Sequence, residues 1–412
     1  MSNAKKTQAQ KTDGLINALS RKNVRGVSKS GSNEYVGYGN LTDSVLRDVF
    51  SDDGIGRSAV ARVVDDAYRK GFTVDNEKML NEFSDLNGFE VFREAQLWGR
   101  LFGGSLIVMV INDGASSMEE PLNPSRIKSV EALRVYDKTD VSVLETNNDP
   151  LSANYEKPVI YSVAGDSGSY RIHTSRTIRF GGIDTDRKNK RTLNGWDQSA
   201  LQPVYSKLMS YFSVLGDGEQ IMDEFVIGVL SMKNLMQLSQ TKDGEKVVQR
   251  RLEGVDETKS NENTVVIDGD GEDYTKHISS ISGFSEIMEA MYSGVAGSCV
   301  PMMPQTLLFG RSPGGQNSTG DSDIRLWNDG VESYQKNKVL PKLKEFFNLR
   351  GDDYAITFNP VYEETPKDKA TAFKDYSAGL TQLVSVGVIA PEEASEKLKD
   401  INLIYDRDAN NA

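Results

Sequence analysis

Cysteine, histidine and long apolar runs are scarce in this sequence, and each scarcity excludes a class of protein. The 412 residues include one cysteine, Cys299, so no disulfide can form within the chain, which suits a reducing compartment. Cys299 lies in an apolar helical stretch, where packing in a core is expected rather than reactivity. No stretch has the length of a membrane span, and the polar N-terminus lacks an apolar signal core, so neither membrane insertion nor secretion is expected.

Positive charge is also scarce, because 48 Lys and Arg stand against 60 Asp and Glu, which gives a formal net charge of -12. Affinity for DNA comes mostly from cations that neutralise phosphates, so this balance argues against a tight nucleic-acid binder. An acidic wall would instead repel DNA and let it slide through a conduit. Acidity for solubility alone explains the same charge equally well.

Residues 1–35 differ from the rest of the chain in charge. Seven Lys or Arg precede residue 33, with Asp13 as the single acidic residue and few large apolar side chains. Such a composition cannot bury a core, so a disordered basic arm is expected. The arm could remain a solvated tail, or it could contact DNA or an acidic neighbour.

Residues 36–196 carry a pattern that predicts an α+β domain. Apolar residues at helical spacing predict two helices within 41–68, broken near Asp53-Gly54, and a third helix over 89–98. Runs rich in Val, Ile and Leu predict strands at 105–111, 130–135, 159–163 and 171–180.

Two long helices that flank a small insertion are predicted next. The first covers 199–222, with Ser199 and Gln202 as a capping box and Pro203 in the first turn. The insertion reads as a strand at 225–232, a charged helix around 244–252 and a strand at 264–268, which together make a β-α-β module.

The second long helix is predicted over 284–300, and it carries two kinds of residue. Ile287, Met291 and Val295 lie on one face. Close to another face lie small residues that would let helices approach closely, namely Ala290, Gly294, Gly297 and Ser298. Gly294 and Gly297 could instead merely weaken an ordinary core helix.

The stretch after this helix is the most informative of the sequence. An apolar segment ending at Phe309 gives way to a run without aliphatic residues between Gly310 and Asp323, which predicts a long polar loop between two helices. No lysine follows the glycines of this run, so the Lys-[Ser/Thr] pair that ends a P-loop motif is missing and nucleotide binding is not expected. Its candidate functional residues are Arg311, Ser312, Gly314, Gly315, Gln316, Asn317 and Ser318.

The C-terminal part predicts further helices. An apolar stripe predicts a helix over 322–349 that Pro341 bends, and a short strand is expected at 355–358. Two helices broken at Gly387 are predicted within 366–398, with Pro391 opening the last one, and the polar tail 406–412 is expected to fray.

Two patterns leave room for chemistry. His173 and His277, the only histidines, lie in His-x-[Ser/Thr] motifs like those of two-histidine phosphoesterases, where each imidazole handles protons at a phosphate. The residues that follow, Arg176 and Ser280, are not the apolar ones those enzymes use. Asp268, Asp270, Glu272 and Asp273 could suggest a metal loop, but the spacing of a calcium loop is absent and a solvated acidic turn is expected.

Five blocks of the sequence together resemble a known family. The most specific is LLFGRSPGGQNSTGDSD from Leu307 to Asp323, followed by the helix that carries Trp327. The others are WGRLFGGSLIVMVI (98–111), IHTSRTIRFGG (172–182), VVIDGDGEDY (265–274) and LVSVGVIAPEEASEKL (383–398). Between about Leu41 and about Leu398 the chain resembles portal proteins of tailed bacteriophages, in particular a divergent family whose loop reads LFGxSPxGxNxTGxxD.

The resemblance implies a division of the chain into the parts of a portal subunit. These are an α+β wing over 36–196, stem helices at 197–224 and 283–303, a clip over 225–282, a tunnel loop over 304–323, a long kinked helix with a strand returning to the wing over 324–362, and crown helices with a polar tail over 363–412. The tunnel loop would contact DNA through the candidate residues named above, with Arg311 as the phosphate partner.

The resemblance also implies a function without chemistry of the chain's own. Portal subunits form a ring of about twelve copies at one capsid vertex, through which double-stranded DNA enters and leaves the head. The implied partners are the terminase large subunit, the major capsid protein and head-completion or adaptor proteins. No enzyme activity, cofactor, metal or membrane is expected of a subunit that assembles in the host bacterial cytoplasm and ends in the virion. The alternatives are the two-histidine phosphoesterase and a non-portal phage scaffold protein.

Overall fold

A computed structural model of the chain describes residues 39–165, 168–223, 226–232, 246–251, 253, 272–278, 283–311, 321–362, 366–391, 393–394 and 397. The chain divides into two compact units. The first unit is Met1–Val64 with Glu90–Trp327, and the second unit is Asp65–Phe89 with Asn328–Ala412. The predicted basic arm and polar tail lie outside the described residues.

The described elements form runs of helices and runs of strands, as an α+β fold requires. In chain order the helices are α1 (Asp43–Asp52), α2 (Gly54–Arg69), α3 (Glu77–Asp85), α4 (Gly88–Phe102), α5 (Arg187–Thr192), α6 (Leu201–Asp223), α7 (Phe284–Ser298), α8 (Gln305–Phe309), α9 (Asp321–Tyr334), α10 (Leu340–Phe347) and α11 (Pro366–Ser385). The strands are β1 (Phe72–Val74), β2 (Gly104–Asn112), β3 (Ser129–Asp137), β4 (Val141–Thr146), β5 (Pro158–Gly165), β6 (Gly168–His173), β7 (Thr177–Gly181), β8 (Val226–Met232), β9 (Glu272–Ile278) and β10 (Ile356–Phe358).

The break between α1 and α2 follows from the local sequence. Asp53 accepts hydrogen bonds from the backbone N–H groups of Ile55 at 3.1 Å and Gly56 at 2.8 Å, so its carboxylate caps the start of α2. The predicted break near Asp53-Gly54 is confirmed. The third predicted helix is also confirmed as α4, which extends to Phe102.

Two antiparallel three-stranded sheets form the middle of the first unit, in the orders β3-β2-β7 and β4-β5-β6. The registers place Leu106 opposite both Tyr136 and Arg179, and Tyr161 opposite Ile172. Residues of both sheets share one buried cluster, which consists of Leu106, Val108, Val141, Tyr161, Val163, Ile172 and Trp196. Burial of these apolar side chains holds the sheets together.

The segment 171–180, predicted as one strand, is two strands, so that prediction is wrong. β6 ends at His173, and a 3-10 turn over Thr174–Arg176 precedes β7. β6 pairs with β5 in one sheet, whereas β7 pairs with β2 in the other, so the turn carries the chain between the sheets. Apolar residues lie on both sides of the turn, so the sequence pattern indicated one continuous strand.

A close joint between α4 and β2 depends on two glycines. Gly103 has φ +85°, which side-chain-bearing residues rarely adopt, and a Cβ there would overlap the carbonyl of Asp197. A Cβ on Gly104 would overlap the buried indole of Trp196. Glycine at both positions therefore lets the Trp196 segment pack directly on the joint.

The two long helices α6 and α7 pack as an antiparallel pair, and both were predicted. The rings of Tyr211 in α6 and Tyr292 in α7 have centroids 5.8 Å apart. Further along α6, Gly218 lies beside Phe284 at the start of α7, where a Cβ would meet the ring at 2.5 Å. Gly218 therefore permits the close approach, whereas a Cβ on Gly294 or Gly297 would meet no atom within 4 Å. No close approach occurs at Gly294 or Gly297 among the described residues, and their contact with helices of neighbouring copies stays a prediction.

The start of α6 corrects the predicted capping box. Ser199 Oγ accepts from the backbone N–H of Leu201 at 3.1 Å, as a cap should. The side chain of Gln202 instead accepts from the backbone N–H of Leu41 (2.9 Å) and donates to the carbonyl of Gly39 (3.0 Å). Gln202 therefore ties the helix to the start of the described chain rather than closing a capping box.

The insertion between the long helices is described in part. β8 confirms the predicted strand at 225–232, and it pairs antiparallel with β9, with Val226 opposite Ile278. Residues 246–251 are helical, as predicted, and the predicted strand 264–268 lies outside the described residues. Glu272 and Asp273 belong to β9, so the prediction of an acidic turn is wrong for these two residues.

The second unit has a core of aromatic rings. β1 pairs with β10, with Phe72 opposite Phe358, which confirms the predicted strand at 355–358 and adds a strand that was not predicted. Ring centroids lie between 4.9 and 6.1 Å apart in a cluster of Phe72, Phe83, Phe89, Phe346, Phe347 and Phe358. Arg350 donates to both carboxylate oxygens of Glu82 in α3, at 2.9 and 2.8 Å.

Pro341 interrupts the long helix by way of a π-helical turn. The turn covers Gln335–Val339 and joins α9 to α10. Proline has no N–H for the carbonyl four residues back and its ring crowds that carbonyl, so a wider turn relieves the conflict. The turn buries Gln335, whose Nε2 donates to the carbonyl of Ala67 at 2.8 Å. The break predicted at Gly387 is also present, because α11 ends at Ser385 and Gly387 has φ +75°.

Candidate functional site: the root of the glycine-rich loop

The candidate loop follows α8 in the first unit, and the structure describes its root. Gly310 follows α8 with φ +65°, and Arg311 is the last described residue before the gap at 312–320. The other predicted site residues, Ser312, Gly314, Gly315, Gln316, Asn317 and Ser318, lie outside the described residues. The site can therefore be built only from Arg311 and the residues that hold the loop's root.

Arg311 already has partners within the chain. Its Nη2 lies 3.7 Å from Glu289 Oε2, and its guanidinium carbon lies 5.0 Å from the ring centroid of Tyr292. Arg311 was predicted to contact a DNA phosphate, whereas in the structure it contacts Glu289 and Tyr292 of α7. About half of its side chain is exposed, and an exposed ion pair of this length is weak, so the guanidinium can still exchange partners.

Arg311 packs against a cluster of aromatic rings. The ring centroids of Tyr292 and Phe309 lie 4.7 Å apart, and those of Tyr211 and Phe309 lie 5.9 Å apart. Rings at these separations attract each other beyond their buried area. The cluster joins α6, α7 and α8, so it holds the end of α8, which precedes Arg311.

Arg100 is a positioning residue that the sequence analysis did not identify. Its side chain is buried in the first unit, where Nε donates to the carbonyl of Val60 at 2.9 Å and Nη2 donates to the carbonyls of Ala59 (3.1 Å) and Val300 (2.7 Å). One guanidinium thereby joins α2 to the segment that follows α7. The available signal was an arginine inside the apolar run that follows the helix predicted over 89–98.

Cys299 lies beside this anchor and is inert. Its side chain is buried, as predicted, and its Sγ faces the carbonyl of Val295 at 3.6 Å. Burial raises the pKa of the Cys299 thiol to about 11, with nearby Arg100 opposing the shift. The thiol therefore stays protonated near neutral pH, and its role is packing.

The two histidines belong to different sheets of the described chain. His173 ends β6 and its Nδ1 lies 2.8 Å from Ser175 Oγ, while His277 belongs to β9 in a different sheet. Burial, and second the charge of Arg176, lower the pKa of His173 below its usual range. His173 is thus part of a turn, and its neighbour Arg176 is the buried residue.

Arg176, which lies in the block from Ile172 to Gly182, forms a buried ion pair with Asp113. Its Nη2 lies 2.7 Å from Asp113 Oδ2, its Nη1 lies 3.3 Å from Asp113 Oδ1, and its Nε donates to the carbonyl of Glu120 at 2.8 Å. The hydrogen bond from Arg176, opposed by burial, lowers the pKa of Asp113 below its usual range. The pair fastens the loop after β2 to the turn between the sheets.

Neither a metal site nor a membrane helix appears in the part of the chain that the structure describes. No group of three or more His, Cys, Asp or Glu there could hold a metal ion. None of the helices described has the length and apolar character to cross a bilayer.

Among curated proteins, the chain is similar to the Anti-CBASS protein Acb1 of Caulobacter sp. (strain RHG1). The two are 29% identical over 316 residues, which cover 72% of this chain and 50% of that protein. The chain spans about half the length of the curated relatives it matches.

Among solved structures, the chain is similar to one from the virion of a native gene transfer agent particle, with a TM-score of 0.53 and 13% identity. That likeness covers 90% of this chain and 95% of the other. A chain from the neck of the native particle, computed with C12 symmetry, gives a TM-score of 0.50 at 13% identity over 86% of this chain and 92% of the other. Identities this low concern the fold alone.

A family match decides the relationship. The family described as Phage portal protein matches residues 45–381, a range that contains both long helices, the glycine-rich loop and the helix interrupted before Pro341. The fold is α+β and is shared with chains of the gene transfer agent particle. The chain therefore belongs to the phage portal protein family.

Proposed function

We propose that the chain is a portal subunit that assembles into a closed ring at one capsid vertex and lets double-stranded DNA pass through the ring. The observation that carries the proposal is the family match over residues 45–381. About twelve subunits are expected, and the similar neck chain comes from a particle computed with C12 symmetry. DNA would move inward during packaging and outward at ejection, without recognition of its sequence.

The parts of the chain take roles within this proposal. The segment 36–196 serves as the wing, α6 and α7 serve as the stem (197–224 and 283–303), and the β8–β9 insertion (225–282) serves as the clip. The loop within 304–323 lines the narrowest part of the channel. The long helix and strand of 324–362 follow it, and residues 363–412 form the crown and tail.

Exposed apolar residues of the first unit support a neighbour-contacting role for the stem. Ile287 on α7 was predicted to lie on one face with Met291 and Val295, and of these three residues Val295 alone is buried in the single chain. Ile287 is 49% exposed, and Met302, close to the loop, is 58% exposed. Contact with adjacent copies would remove such apolar surface from water.

The proposed subunit does no chemistry. We infer that the energy for DNA movement comes from a separate terminase, which docks through its large subunit at the clip, and that head-completion or adaptor proteins take its place later. The major capsid protein would hold the wing. Assembly in the host bacterial cytoplasm followed by incorporation into the virion, without cofactor or membrane, completes the proposal.

The name of the curated relatives is not transferred to this chain. The chain matches about half of each of those proteins, and a whole protein's activity need not lie in the shared half. The separation of His173 and His277 in two sheets gives the two-histidine alternative no support.

Deletion of Gly314–Ser318 tests the role of the loop. We expect the deletion variant to assemble as the wild type does, because the loop's root is held by Arg100 and the aromatic cluster, and to package or retain much less DNA. Packaged DNA is measured as nuclease-resistant genome per particle, and the assembly of the purified protein is measured separately. A variant that replaces the five residues by a Gly-Ser segment of equal length separates loop length from side-chain contacts. Wild-type yield and genome length in the deletion variant would contradict the assignment.

A further inference from the structure

A second candidate site lies in the first unit and shares no residue with the root of the glycine-rich loop. It is an open pocket of about 1110 Å³ between the turn that follows β3, the strands β4 and β5, and the segment from α5 to Trp196. Arg187 and Arg191 on its rim are 69% and 68% exposed at the side chain, so the pocket faces solvent. The portal role proposed above makes no use of it.

The pocket is basic although the chain as a whole is acidic. Five cationic residues line it, namely Lys138, Arg179, Arg187, Lys190 and Arg191. The carboxylates in the lining are Asp43 and Glu156, and Asp197 lies beside Lys190 at 2.8 Å. Positive charge therefore remains in excess in this pocket of a chain whose net charge is -12.

Contacts within the chain hold the cations in place. The Arg179 guanidinium lies 3.9 Å from the ring centroid of Trp196, and its Nη2 donates to the carbonyl of Gly195 at 2.6 Å. Lys138 pairs with Asp43 at 3.0 Å and is mostly buried. Cations held in this way lose little conformational entropy when a ligand arrives.

Two arginines on the rim share one carboxylate. Arg187 donates to both oxygens of Glu156, at 2.9 and 2.8 Å, and Arg191 lies 3.6 Å from the same carboxylate. Ion pairs between exposed side chains are weak, so both guanidinium groups can turn to a more highly charged anion. Glu156 shows that both side chains can reach one anionic group, and guanidinium groups donate to carboxylates and to phosphates alike.

We propose that this pocket binds a phosphate-bearing polyanion through Arg179, Arg187 and Arg191. Phosphate groups place several negative charges close together, which matches an excess of cations in one concave site better than the spaced carboxylates of an acidic peptide do. Trp196 is buried under Arg179 and offers no ring to a base, so the pocket recognises phosphate and not a nucleobase. The phosphate comes from a free polyphosphate or from a nucleic-acid backbone.

Isothermal titration of the full chain with inorganic tripolyphosphate and with a mixed-sequence single-stranded DNA oligonucleotide tests the proposal. We expect the double variant Arg187→Gln/Arg191→Gln to weaken tripolyphosphate binding by at least about tenfold at low salt, because two charge-assisted contacts are removed. The matched control is Arg171→Gln, an exposed arginine outside the pocket that lies 3.6 Å from Glu119, and it should bind as the wild type does. All three proteins should unfold at similar temperatures.

The two ligands distinguish the sources of phosphate. Binding of tripolyphosphate alone, lost in the double variant, assigns a free polyphosphate to the pocket, and loss of oligonucleotide binding in the same variant assigns a nucleic-acid backbone. No tripolyphosphate binding by the wild type, equal binding by the double variant, or equally tight binding of a polyglutamate peptide would overturn the proposal.

Discussion

Replacement of Arg176 by methionine is expected to lower the free energy of unfolding by about 3–5 kcal/mol, the usual cost of removing one partner from a buried ion pair. Both side chains of the pair are 3% exposed, so the carboxylate of Asp113 would be left buried without its counter-charge. Arg176 also holds the carbonyl of Glu120, and that contact would be lost too. Denaturant unfolding of the purified protein, followed by tryptophan fluorescence, measures the difference.

Two controls separate this mechanism from a general loss of charge. Arg171→Met removes an exposed arginine in the adjacent strand and should change stability by no more than about 0.5 kcal/mol. The double variant Asp113→Leu/Arg176→Met removes both charges together, so it should recover much of the loss. Equal stability of Arg176→Met and Arg171→Met would contradict the account of the buried pair.

The pH dependence of the same pair has a definite sign. The pKa of Asp113 is lower in the folded chain than its ordinary value of about 3.9, so the pair stabilises the fold above that value. Its contribution is lost as the pH falls through the folded pKa. The difference in the free energy of unfolding between the wild type and Arg176→Met should therefore become smaller below about pH 4. A difference that stays constant down to about pH 3 would contradict the stabilising role of the ionised Asp113.

Replacement of Arg100 by methionine is expected to loosen the root of the glycine-rich loop. Methionine fills similar space but cannot donate to the carbonyls of Ala59, Val60 and Val300, and a hydrogen bond from a charged group contributes about 1.5–3 kcal/mol. The free energy of unfolding should fall by at least the contribution of one such bond, because three are lost. Hydrogen exchange should also quicken at the amides of Cys299 and Met303, which donate to the carbonyl of Ala296.

The control for this effect lies on the same helix. Arg93 pairs with Glu90 one turn away and is more exposed than Arg100, so Arg93→Met should leave exchange at Cys299 and Met303 unchanged. Faster exchange spread evenly over the first unit in Arg100→Met would show a general loss of stability instead of a loosened loop root.

Local features of this fold could be predicted from the sequence, and features made by distant partners could not. The break at Asp53 is set by a carboxylate that binds the two amides next to it, so the signal is contained in a few residues. β1 has three residues, and its partner β10 lies near the other end of the chain, so no local pattern marks it. The turn at Thr174–Arg176 went unseen for the same reason, because pairing with β5 and β2 defines it.

The candidate site divides in the same way. The loop was identified by its composition and its motif, which are local properties of the residues between Gly310 and Asp323. The partners of Arg311, and the anchoring of Val300 by Arg100, depend on the packing of α2, α4 and α7. Periodicity alone does not show whether an arginine in an apolar run is buried or exposed. The role of Arg100 could therefore be recognised only from its partners in the folded chain.

Electron microscopy of the purified full chain, with the mass in solution measured by light scattering, tests the portal assignment most directly. The account predicts closed rings with a central channel and a mass of about half a megadalton, which is about twelve copies of a 45.5 kDa chain. A chain that remains monomeric at high concentration, both alone and together with its scaffold and capsid partners, would contradict it.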